Sequence, residues 1–73
     1  MQSHPVVVTD LDILGGTPVF AGTRVPVRSL FDYLEAGDTL DEFLDQFPSV
    51  TREQAIAVLK RARDTLLADA RAA

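Results

Sequence analysis

The spacing of apolar residues changes period along this chain. It starts with Val6-Val7-Val8-Thr9, a β-branched run that predicts a short strand. Asp10-Leu11-Asp12 interrupts the run, because Asp side chains bond nearby backbone in turns. Val19-Phe20 predicts a second short strand, edge-like because Pro18 beside it cannot donate to a ladder. Gly15-Gly16 and Gly22 lie around it and supply positions where φ can be positive. A small N-terminal β-hairpin is the expected result.

From residue 27 onward the period is helical. Val27, Leu30, Phe31 and Leu34 fall on one face of a first helix, with Pro26 suited to its first turn and Gly37 to its end. Leu40, Phe43, Leu44 and Phe47 repeat the spacing in a second helix. Thr39-Leu-Asp-Glu42 is a capping box at its start, and Pro48 stops it. Thr51-Arg-Glu-Gln54 is another capping box and opens a third helix running to about residue 68. Its expected buried stripe is Ala55, Leu59, Ala62 and Leu66, flanked by Ile56 and Val58.

The predicted fold is mainly α: a three-helix bundle with a small N-terminal β-hairpin, one domain over 1–73 with 1–5 and 69–73 frayed. Its expected core is Val27, Leu30, Phe31, Leu34, Leu40, Phe43, Leu44, Phe47, Ile56, Leu59 and Leu66. A short second helix joined by a tight turn to a longer third is the order of a helix-turn-helix. At 73 residues such a domain has little stability to spare, and association with a copy or a partner is a common remedy.

Charge divides the chain more sharply than its net value of −4 suggests. Asp10, Asp12, Arg24 and Arg28 cancel in the first 28 residues. The next 20 residues carry Asp32, Glu35, Asp38, Asp41, Glu42 and Asp45 and no base. The remainder is mildly basic through Arg52, Lys60, Arg61, Arg63 and Arg71. With no cysteine there is no disulfide framework or thiolate metal site, which fits a cytoplasmic location. No apolar run approaches membrane-spanning length, and no signal peptide is evident.

No residue set reads as a catalytic centre. The single histidine, His4, stands in the N-terminal segment, and Ser3, Ser29 and Ser49 have no histidine partner in view. The glycines match no phosphate-loop spacing. An enzyme, a metal and a cofactor are therefore not expected. Asp38, Asp41, Glu42 and Asp45 read as a solvated face or as a surface for a basic partner. Ser49, Thr51, Arg52 and Gln54 stand where a recognition helix begins and read either as base contacts or as ordinary capping and surface residues; Lys60 and Arg61 further along read as phosphate contacts or as charges that solubilise the helix. Arg24 has two readings: a contact to phosphate or partner, or a brace whose donors pin the hairpin to the helices. The brace is preferred, with Gly16 and Gly22 as the turn residues beside it.

Gly16-Thr-Pro-Val-Phe-Ala-Gly-Thr-Arg24-Val-Pro-Val27 resembles the G-[KT]-P-[VC]-[IF]-x-G-T-R-[IV]-x-V signature of a widespread small bacterial family of unknown function. The resemblance continues through Thr39–Glu42 and the F-P-S-V-T stretch at Phe47–Thr51. It implies a homeodomain-like helix-turn-helix related to VapB-type antitoxins. Its implied partners are its own promoter DNA, a PIN-like ribonuclease toxin, and a second copy in a homodimer. The alternative is a protein-interaction module that does not bind DNA and works through the acidic second helix. Two features depart from the antitoxin pattern: there is almost no tail beyond the third helix, and the second helix is acidic where a DNA-bound domain favours neutral or basic residues.

Overall fold

The computed structural model describes residues 5–70. It holds two short strands, β1 (Val7–Val8) and β2 (Val19–Phe20), and three helices, α1 (Val27–Glu35), α2 (Leu40–Gln46) and α3 (Arg52–Asp69). The result is mainly helical with an antiparallel hairpin, as the hydrophobic periods predict. The frayed ends expected at 1–5 and 69–73 fall largely outside the described residues, as do His4 and Arg71.

β1 and β2 pair antiparallel, Val7 opposite Phe20 and Val8 opposite Val19. The far edge of β2 is covered by the chain entering α1. Val19 bridges Pro26, the Phe20 N–H donates to the Val25 carbonyl, and the Val27 N–H donates to the Pro18 carbonyl. β2 is therefore a central strand in miniature, and both its side chains are fully buried. Pro18 sits just before it and contributes only its carbonyl. Between the strands a short 3-10 turn, Leu14–Gly16, reverses the chain. Gly16 has φ +92°, a conformation that favours glycine; a β-carbon there would lie 3.3 Å from the exposed Leu11 side chain, which is free to give way.

Both capping boxes form. The Thr39 hydroxyl accepts the Glu42 N–H while Glu42 accepts the Thr39 N–H, and Thr51 and Gln54 do the same at α3. Gly37, with φ +91°, follows α1, and its N–H donates to the Leu34 carbonyl.

The core is Val19, Phe20, Val25, Leu30, Phe43, Val50, Ala55 and Val58. Phe43 is its centre: its ring lies 6.0 Å from Phe20, 5.5 Å from Tyr33 and 5.0 Å from Phe47, centroid to centroid. The expected core is corrected at two positions. Ile56 and Leu66 are exposed. The helical stripe was extended along all of α3, but the hairpin and α1 and α2 reach only its N-terminal half. Val19, Phe20 and Val25 close the core in their place, because the hairpin is a wall of the core rather than a cover over it.

Candidate functional site

The N-terminal end of α3 is where recognition residues were expected, and the fold has already engaged two of them. The Gln54 Oε1 accepts the Thr51 N–H in the capping box. Its Nε2 donates to the Ala21 carbonyl at 2.9 Å, tying α3 to the hairpin. Both ends of this half-buried amide are occupied, so Gln54 is a clamp between α3 and the hairpin and not a free base reader. The Thr51 hydroxyl accepts the Gln54 N–H. Arg52 is exposed, and its guanidinium pairs with the Asp41 carboxylate from α2. This pair links two residues of different surfaces, and because both are exposed it is weak.

The other expected DNA contacts separate. Lys60 joins Arg52, Glu53, Ile56 and Ala57 around a shallow groove of about 410 Å³ on the outer side of α3. Arg61 is exposed on the same helix. Ser49 lies instead on a second cleft of about 580 Å³, with Val8, Ile13, Arg24, Pro26 and Phe47 among its walls.

Arg24 does not pin the hairpin to the helices. It is exposed and makes no hydrogen bond or ion pair among the described residues. The bond from hairpin to helix is that of Gln54 to Ala21, and the turn itself is braced by Thr23. The buried Thr23 hydroxyl donates to the Phe20 carbonyl at 2.8 Å and accepts the Val25 N–H at 3.0 Å. A short side chain already inside the turn reaches both groups, leaving the long arginine to point outward. Gly22, at φ +76°, sets up the reversal that makes this possible.

The acidic face also divides. Asp41 turns toward α3, while Asp38, Glu42 and Asp45 surround a recess of about 230 Å³ with Tyr33 and Gln46. Glu42 is held ionised there: the Thr39 backbone N–H, then the Thr39 hydroxyl, keep its carboxyl below the ordinary 4.5. The recess thus combines three carboxylates with one aromatic ring, fixed edge-on to Phe43 and Phe47. Reasoning from sequence overlooked Tyr33. The signal was there: it is the only tyrosine in the chain, and it stands inside the acidic block, between Asp32 and Glu35 and five residues before Asp38. No three of the described histidine, aspartate and glutamate side chains converge as a metal ion would need. No described helix is long and apolar enough to cross a membrane.

The sequence profile described as "Protein of unknown function (DUF433)" matches residues 7–61. The chain belongs to the DUF433 family. The match takes in the hairpin, α1, α2 and the first half of α3, leaving the exposed end of α3 outside it. Among curated proteins the chain is 43% identical over 52 residues to an uncharacterised protein, y4eO, of Sinorhizobium fredii (strain NBRC 101917 / NGR234). That similarity covers 71% of this chain but 24% of the relative, so the chain spans about a quarter of that protein's length. No solved structure matches.

Proposed function

We propose that this DUF433 domain is an antitoxin that acts by protein contact, with the recess beside Tyr33 as its socket for a basic side chain of a PIN-like ribonuclease. The supporting observation is that Asp38, Glu42 and Asp45 line one recess together with Tyr33. Carboxylates beside an aromatic face suit a lysine or arginine, through ion pairing and cation–π attraction together. A nuclease surface that binds RNA is basic, and covering it with an acidic face both docks the domain and competes with the substrate.

The test is co-purification with the product of the neighbouring gene. Asp38→Lys with Asp45→Lys should abolish capture while circular dichroism stays that of the parent, since Asp45 is exposed and half-buried Asp38 makes no side-chain hydrogen bond among the described residues. Undiminished capture would overturn the reading. A short arginine-rich peptide gives a second readout: it should shift the amide resonances around Tyr33 and Glu42 in the parent and not in the double variant.

A second reading keeps a homeodomain-like helix-turn-helix and the domain's own promoter. It is favoured by the order α2, a short connection at 47–51, then α3, and by exposed Lys60 and Arg61. With Gln54 engaged, base reading falls to Arg52, whose exposed pair with Asp41 has to open first, and Lys60 and Arg61 supply phosphate contacts that carry little sequence information. Two such contacts give a log–log salt slope of about −2. A titration of upstream DNA with no binding at low salt removes this reading and leaves the first untouched.

A further inference from the structure

α3 is longer than the core it covers. Its 18 residues rise about 27 Å, yet only Ala55 and Val58 are buried and every described residue from Arg63 onward is exposed. Leu66 continues the core stripe beyond the edge of the core, and Leu67, 100° further round the helix, lies toward the outer side; they are 70% and 67% exposed. Helical turns without tertiary contact are marginal in water. An apolar partner surface for this end of α3 is therefore to be sought.

At 100° per residue the outer face of α3 gathers Glu53, Ala57, Lys60, Asp64 and Leu67, with Ile56 at its rim. The order is acid, small, base, acid, large. Set antiparallel against itself about a two-fold near residue 62, this face is complementary. Ala57 meets Leu67 and Lys60 meets Asp64, each pair occurring twice. The groove bounded by Glu53, Ile56, Ala57 and Lys60 lies at the level where Leu67 of a second copy would arrive. Arg63 contacts Asp64 along its own helix only through Oδ1, and Oδ2 has no hydrogen-bond partner among the described residues. A parallel arrangement would instead set Lys60 against Lys60. The contact face is opposite the core face, so the two domains lie on the outer sides of the helix pair.

From this we infer that the outer face of α3 is a self-docking seam whose occupant is a second copy of the chain, paired antiparallel. The contact spans about three turns, short of the ~800 Å² per partner of a standard interface, so the dimer is weak and depends on concentration. It covers the face a recognition helix would turn toward DNA; dimer and groove reading by that face exclude each other. The seam does not include the Tyr33 socket, so this inference and the proposed protein contact stand or fall separately.

Sedimentation velocity over a wide concentration range, up to millimolar, tests it. The parent's mass should climb from 8.0 kDa toward twice that value. Leu67→Glu should hold it at the monomer. Lys60→Asp and Asp64→Lys should each weaken the dimer about tenfold or more, because one reversal acts at both symmetry-related pairs. The double variant, which swaps the two charges, should return to near the parent. All these positions are exposed, so unchanged circular dichroism accompanies every variant. A parent that stays monomeric, or a swap no better than the single reversals, overturns the inference.

Discussion

Gln54→Ala separates the structural account of α3 from a recognition account, and its size can be worked from the contacts. The substitution leaves the Thr51 hydroxyl on the residue-54 N–H and removes the reciprocal bond from the Thr51 N–H to the side chain. Half of a capping box is worth about 0.5 kcal/mol. It also removes the 2.9 Å bond to the Ala21 carbonyl. A net hydrogen bond contributes about 1 kcal/mol, and because both residues are half-buried, water recovers only part of the carbonyl's loss. Alanine's better helix propensity returns a few tenths of a kcal/mol. The balance is a loss of about 1.5 kcal/mol, which lowers Tm by roughly 6–12 °C in a domain of this size. Urea unfolding followed by far-ultraviolet circular dichroism would show the midpoint falling by about 1.5 M at a slope near 1 kcal/mol/M. Gln54→Glu sharpens the test. Glutamate is a good capping-box residue at this position and suits the positive end of a helix dipole, so capping alone predicts equal or greater stability. The bond to Ala21 predicts the reverse, because a carboxylate faces a carbonyl with no proton to donate. A Gln54→Glu domain more stable than the parent, or a Gln54→Ala domain within 0.5 kcal/mol of it, would refute the clamp.

Phe43→Ala should cost about 3–5 kcal/mol, a large part of the roughly 4–11 kcal/mol expected for a chain of this length; a thermal melt within a few degrees of the parent would contradict its central place. Thr23→Val strands the buried Val25 N–H and should cost about 1–3 kcal/mol in chemical denaturation, whereas Thr23→Ser keeps both bonds and loses less; equal losses would return the brace to some other group. Glu42 has a lowered pKa, so its contribution is complete above the ordinary value of 4.5 and is lost as pH falls through its folded value. The parent should therefore lose more stability between neutral and strongly acid pH than Glu42→Gln, which keeps a capping side chain that does not titrate; parallel pH profiles would remove Glu42 from the account.

Helix boundaries were the most legible part of this chain because their signals are local. A threonine three residues before a glutamate or glutamine, or a glycine after the last apolar position, acts within one turn of backbone. The core was less legible. Period alone placed Leu66 inside, since it shares a face with Ala55, Leu59 and Ala62, but period carries no information on how far the neighbouring elements reach. The candidate site was least legible, for a related reason. Arg52 and Gln54 have the side chains a base reader needs, and the same donors suit other partners equally well. Which partner wins depends on what the fold brings near: Asp41 from α2 and Ala21 from the hairpin, the second of these 33 residues away in sequence. The same logic bears on Arg24. A short threonine satisfied the turn, and the arginine that marks the sequence was left exposed on a cleft with Ser49 and Phe47. Functional assignments for such short domains therefore depend on which polar groups the fold has already engaged. By that criterion, among the described residues, Arg24 on its cleft, Asp38 and Asp45 beside Tyr33, and Lys60 on the outer face of α3 are left open, and Gln54 at the start of α3 is part of the fold.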